Sequence, residues 1–489
     1  MASQATATQD TPEQTPEPRP GYRQLLRTPG AWTFLVPGFF ARQPFAMLAI
    51  GIVLLVEHTT GSFGVAGAVS ATSGISMALI APRVGRLADR YGQAAVLVPG
   101  AVLHAALVGL LITVALREAP LWVLFAAAVP AGASTPQISP MVRARWTSLL
   151  TSPAGGESAP RTRSSLLTTA AAFESVTDEF TFVIGPVLAT ALSTGLHPAA
   201  GLGTEAVLTL GGALVFAAQR RTQPVPSGPH PARRGTARFR GALPRRAARV
   251  PRPGAAPGAD RGGTSGLPSG TDSPGGRSTD SAWSAPGLRV LVAATLGIGT
   301  VFGGMQVSLA AFTQSIGQPE LNGVMYGVFA GGNMLAALAV GAVRWRRTAR
   351  WRLLCSYPTL ALAALLLAGT AQLLPWGWLL GGLGLLTGLC IAPSMITSFT
   401  LVETLVPATA RTEAFTWLTG AIALGQAAGS TLAGQLTDRG GATTGFLAPL
   451  VGSGLALVVL LLFRSRLSPG PSRVNGVRAV GHRMPVPVD

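Results

Sequence analysis

The chain has 489 residues, of which 48% are hydrophobic and only 11% charged, and its mean hydropathy is positive. Soluble domains carry about 25% charged residues, so the sequence describes an integral membrane protein. Formal net charge is +18, yet no lysine is present and all 37 basic side chains are arginine. A Walker A loop needs its lysine at the phosphates and Schiff-base catalysis needs a lysine amine; both are excluded. The arginines sit in short stretches beside hydrophobic spans, which is a topology signal rather than a nucleic-acid footprint. His58, His104, His197, His230 and His482 are scattered, and Cys355 and Cys390 lack CxxC spacing, so neither a metal nor a cofactor is expected.

Residues 1–20 are rich in Thr, Gln, Glu and Pro without an apolar core, which predicts a disordered cytoplasmic tail and no cleavable signal peptide. A helix crosses a bilayer with about 20 apolar residues. That window predicts spans at 32–56, 63–83, 94–116, 121–142, 167–193 and 199–218, then 289–313, 321–343, 352–373, 376–401, 412–436 and 443–463. The expected fold is all-α, with twelve transmembrane helices in two pseudo-symmetric six-helix bundles over 21–218 and 288–466. Between them, residues 219–287 hold 12 Arg against 3 Asp and are rich in Pro, Gly and Ser, which predicts a disordered cytoplasmic loop. Residues 467–489 form a second tail.

Arginine marks one side. Arg23, Arg27, Arg83, Arg86, Arg90, Arg143, Arg145, Arg161 and Arg163 lie there, as do Arg344, Arg346, Arg347, Arg350, Arg352, Arg411, Arg464 and Arg466. The opposite loops hold only Arg117 and Arg439. The positive-inside rule then places both termini in the cytoplasm of a multi-pass plasma-membrane protein, as an even number of spans requires. The halves align weakly but in order: Ala172–Phe173 over Ala414–Phe415, Phe45 over Phe302, and Gly64–Val65 over Gly323–Val324, as an internal duplication would leave them.

Charges inside the spans are few. Arg42 lies ten residues into the first span, in "GFFARQPFAM", and Asp178 eleven residues into the fifth, in "FESVTDEFTFVIGP". Both spans leave from the same side at about 1.5 Å per residue, so the two groups reach similar depth. Ionised groups there face the bundle interior with a partner, which predicts an Arg42–Asp178 pair with Glu174 on the same face. Glu179 is turned by about 100° from Asp178. Such a set either couples a proton to conformation through a state-dependent pKa or serves as a static packing pair. His104 reads as a packing histidine, and Glu403 and Glu413 as solvated or paired with Arg411.

The loop after the second span reads "GRLADRYGQ", residues 85–93. It resembles the major facilitator superfamily signature Gly-x-Leu-Ala-Asp-Arg-x-Gly-Arg-Arg/Lys. Gly85, Leu87, Ala88, Asp89, Arg90 and Gly92 match, while Gln93 and Ala94 replace the basic pair. The resemblance implies a secondary transporter working by alternating access, with Gly85, Asp89, Arg90 and Gly92 as a latch that closes against the start of the eleventh helix. It also implies a cavity lined by the first and fourth helices of each half, whose candidates are Gln43, Gln137, Thr300, Met305, Gln306, Ser394 and Met395. "GPVLA" at 185 looks like a fragment of the antiporter motif of bacterial drug and sugar exporters, without its following glycine pair. The partners implied are a small organic solute, protons and the lipid bilayer, acting on a monomer. Proton-coupled export, import or facilitation of sugars or similar solutes, and a sensor on the same fold remain open.

Overall fold

The computed structural model describes residues 22–151, 160–226, 283, 285–342, 347–406 and 411–467. The expected tails and most of the 219–287 loop therefore lie outside the described residues. A short α1 (Tyr22–Leu26) leads into α2 (Ala31–Thr60), α3 (Phe63–Tyr91), α4 (Gln93–Leu116), α5 (Leu121–Ala133), α6 (Ile138–Thr151), α7 (Pro160–Gly195) and α8 (Ala200–Ala218). The second half is α9 (Pro286–Ser315), α10 (Leu321–Ala342), α11 (Ala349–Leu373), α12 (Gly377–Leu405), α13 (Arg411–Gly440) and α14 (Leu447–Leu462). Among the described residues there is no strand. In a bilayer this follows from backbone satisfaction: a helix pairs its N–H and C=O groups within itself.

Two spans depart from the sequence reading. The fourth is not one helix but α5 and α6, interrupted at Ser134–Gln137. Pro136 disfavours the helical region for the residue before it, and the chain resumes only at Ile138. The eleventh, α13, is 30 residues long, but eleven other segments, not α13, combine membrane length with an apolar window. Gly425, Gly429, Ser430, Gly434 and Thr437 of this helix are buried against protein. A Cβ on Gly425 would collide with the Leu296 carbonyl oxygen, and one on Gly303 with that of Gln426. Close backbone approach through small residues is how membrane helices gain contact without a hydrophobic driving force.

Contacts between the two halves gather towards one end of the molecule. At the Arg-poor end Leu48, Ile52, Val56 and Phe63 of the first half share an apolar core with Val307, Ala310, Ala311 and Ala433 of the second. Polar contacts across the halves lie there or deeper. Gln314 donates to both Glu57 oxygens at 3.0 and 3.1 Å. Asp438, at the end of α13, accepts from the Ser62 hydroxyl at 2.6 Å and from the Phe63 and Gly64 amides at 2.9 Å. It thereby caps the exposed N–H groups at the start of α3, where the helix dipole favours an anion.

Candidate functional site: a charged cluster beside a central cavity

Arg42 stands on α2, fully hidden at 3% exposure, and α7 brings two acids to it. Its Nη1 donates to Asp178 Oδ1 at 2.9 Å and its Nη2 to Glu174 Oε2 at 2.7 Å. Residues 174 and 178 share a helix face because they are one turn apart. The guanidinium's planar fork can serve two carboxylates at once, which an ammonium could not do with fixed geometry. Its Nε donates to the Gly38 carbonyl at 3.2 Å. Glu174 is further held by Trp146 Nε1 at 2.8 Å. Asp178 accepts from the Ser139 hydroxyl and from Arg143 Nη2, both at 2.8 Å. Sequence pattern led to one acid on Arg42; the structure places two there, and a second arginine on Asp178.

The interruption between α5 and α6 makes room beside this cluster. A cavity of about 240 Å³ is lined by Arg42, Phe45, Gln137, Ser139, Asp178 and Phe182. Phe45 and Phe182 meet edge to face, centroids 5.9 Å apart, so aromatic surface stands next to the ion cluster. Of the cavity candidates, Gln137 lines this space. Gln43 lies just behind, donating to Phe39 O and Thr181 Oγ1 at 3.3 Å. Met395 lines a separate cavity of about 340 Å³ with Phe399, Thr400, Glu403 and Phe415.

Thr300, Met305, Gln306 and Ser394 do not line either cavity; all four are buried. Met305 belongs to the core of the second half, and Thr300 packs against Gly452. Ser394 donates to the Cys390 carbonyl at 3.0 Å. The physical reason is that α9 is enclosed by protein on almost every face, so a polar residue on it is not thereby a cavity residue.

The signature loop also differs from expectation. α3 runs unbroken through Gly85, which has open space around it instead of a tight turn or close neighbour. No proline or capping residue stops the helix until Gly92, whose φ of 97° ends it. Asp89 is exposed and, among the described residues, makes no hydrogen bond or ion pair. Arg90 lies over the Tyr91 ring at 5.2 Å.

Sequence reasoning missed three features. Arg145, expected in a solvated loop, is fully buried: it donates to Gln93 Oε1 at 2.9 Å and to the Phe216 carbonyl at 3.0 Å, and lies 3.6 Å over the Phe216 ring. Arg145 is therefore a second buried cation of the first half, beside Arg42. Glu205 on α8 pairs with His104 Nε2 at 3.0 Å, both wholly buried, with His104 Nδ1 against Ala131 O and Ser134 Oγ at 3.1 Å. Asn333 on α10 donates to Glu179 Oε2 at 2.9 Å across the two halves. A single acid or amide inside an apolar span was the available signal in the last two cases.

Two helical bundles joined across one end, with an ion cluster beside a cavity in the first, are an arrangement suited to a membrane transporter. A family model described as "Major Facilitator Superfamily" matches residues 34–385. The chain belongs to that superfamily. Its fold is similar to that of the nucleoside transporter NupG (TM-score 0.62, 12% identity, covering 90% of this chain and 99% of that one). It is also similar to a POT peptide transporter solved with sulfate (0.61, 16%, 93% and 98%) and to a bacterial homologue of the iron transporter ferroportin in the inward-facing state (0.55, 17%, 88% and 98%). No curated protein matches the sequence significantly.

Proposed function

We propose that the chain exports a small organic solute across the plasma membrane in exchange for protons, as a monomer with both termini and the Arg-rich end in the cytoplasm. The observation that carries this reading is Asp178: it shares Arg42 with Glu174 and forms part of the cavity wall. A proton arriving on Asp178 leaves Arg42 still paired to Glu174, so protonation does not strand a buried cation. The freed guanidinium edge, Ser139 and Gln137 then face the cavity and its solute. A solute that engages Arg42 competes with the Asp178 carboxylate, and that competition links solute to proton. Phe45 and Phe182 add apolar contact, which suits a lipophilic solute with few charges.

In this reading the structure is the inward-facing state, with the Arg-poor end sealed. Asp89 awaits its partner at the open end and engages only when the halves rock. Flux into and out of proteoliposomes under an imposed pH gradient, against a panel of drugs and sugars, tests the reading. Uphill drug movement that collapses with the gradient supports it. Gradient-independent flux of a sugar overturns it in favour of facilitation.

A further inference from the structure

Glu179 follows Asp178 directly but faces another way, towards α10 of the second half. Its Oε2 accepts from Asn333 Nδ2 at 2.9 Å, which makes it a polar tie between the halves deep in the spans. Asn333 is 3% exposed, and its Oδ1 has no hydrogen-bond partner. A buried amide oxygen left without a donor is an anomaly that asks for explanation.

The surroundings of Glu179 sharpen it. Among the described residues no cation lies within ion-pair distance of its carboxylate. On its own helix, Asp178 is occupied by Arg42 and Arg143. From α2, Arg42 is committed to Glu174 and Asp178. From α6, Arg143 binds Asp178 and Arg145 binds Gln93. From α8, Glu205 is held by His104 and Thr209. On α1, Tyr22 packs on Phe173 and Arg23 is exposed. α10 contributes one titratable side chain, the buried Tyr326. Glu179 therefore has an amide for a partner and no counter-charge, in a place where an ionised carboxylate is costly.

A protonated carboxyl resolves both oddities. Its hydroxyl donates to Asn333 Oδ1 while its carbonyl oxygen keeps the bond from Nδ2, so two hydrogen bonds cross between the halves. The ionised form makes one, because a carboxylate has nothing to donate. We infer that Glu179 and Asn333 form a proton-operated clasp: a proton taken up by Glu179 from solvent tightens the contact between α7 and α10 and favours the state sealed at the Arg-poor end. Loss of that proton favours reopening. The clasp rests on the reading of the chain as a proton-coupled transporter, and assigns one proton a conformational task distinct from the contest at Asp178.

The test needs no solute. Spin labels at Leu196 and Leu373, both strongly exposed and at the ends of α7 and α11, report separation of the halves in the full chain. Cys355 and Cys390 are first replaced by alanine, and the chain is reconstituted in liposomes at about pH 8 and about pH 5, a range that brackets buried carboxyl titration. The short-distance population is expected to rise on acidification, by about tenfold for each pKa unit separating the two states. Glu179→Gln reproduces the two-bond pattern permanently, since its amide both donates and accepts, and should stay closed at either pH. Asn333→Leu should lose the pH response. A Glu179→Gln chain that still responds as wild type overturns the clasp. If that variant does not fold, an undiminished response in Asn333→Leu overturns it equally. Solute flux that ignores the pH gradient would defeat the proposed export while the distance measurement still decided the clasp.

Discussion

The two halves share a fold and differ in what they bury. The first half encloses Arg42, Glu174, Arg145, His104 and Glu205, whereas every buried polar side chain described in the second half is a hydroxyl or an amide. The scaffold itself therefore does not require charge. In the second half α9 and α13 approach through Gly299, Gly303, Gly425 and Gly429, each too close to the facing backbone to admit a Cβ without displacement. That seam gives packing without desolvating an ion, the economical solution in lipid. Buried charge in the first half is more than the fold demands, and one of its members, Arg42, lines the cavity. Breaking the comparison means removing charges and asking which of them the fold misses.

The largest effect is expected at Arg42. Its replacement by alanine strands Glu174 and Asp178 together, and uncompensated burial of a former ion-pair partner costs about 3–5 kcal/mol. Arg42→Ala should abolish coupled flux and sharply lower the yield of monodisperse protein on size-exclusion chromatography. Geometry changes what rescue requires. A simple pair would be relieved by Arg42→Ala with Asp178→Ala, but here Glu174 remains behind, so recovery of yield needs Glu174→Gln as well. Asp178→Ala alone leaves Arg42 on Glu174 and should fold while losing its dependence on the pH gradient. Full rescue by the double variant would show that Glu174 contributes nothing.

The next effect separates stability from transport within the same half. His104 and Glu205 join α4 to α8 and are wholly buried, away from the residues lining the cavity. Replacing Glu205 with leucine leaves the His104 Nε2 without its partner, a loss of about 1–3 kcal/mol for a buried unsatisfied group. Thermal unfolding in detergent should shift downward, while flux per folded molecule stays near wild type. Flux that falls with folded protein constant would make this pair part of the transport pathway and enlarge the functional set.

How much of this was legible follows from what each residue's role depends on. The all-helical membrane fold and the meeting of Arg42 with Asp178 depend on hydropathy and on depth along parallel spans, both written in the sequence. That Glu174 also reaches Arg42 depends on helix rotation, which periodicity gives only to within a residue. Arg145 misled because arginines near span ends are ordinarily solvated, whereas Gln93 and the carbonyls at the end of α8 turn it inward. Thr300, Met305 and Ser394 lie off both described cavities, and a pseudo-symmetric placement does not say which face of α9 or α12 is enclosed. Asn333 needed the opposite half in place before its partner existed.

The smallest effect compares the two ends. Asp438 grips the start of α3 at the Arg-poor end, and Asp89, at the far end of the same helix, is exposed and has no partner among the described residues. A carboxylate at a helix N-terminus contributes about 0.3–1 kcal/mol when exposed, so neither aspartate can hold a state alone, but each can tip a near-balanced one. Asp438→Asn keeps an acceptor and removes the charge. It should raise labelling by a membrane-impermeant thiol reagent at a cysteine placed at Val307, in the apolar seal, by about two- to fivefold. Asp89→Asn should not raise it, because in the proposed latch its charge would support the opposite state. Together the variants should partly cancel, as expected when two residues bias one equilibrium from opposite ends. Equal responses to both would mean that the aspartates act on local helix stability and not on the balance between the two ends.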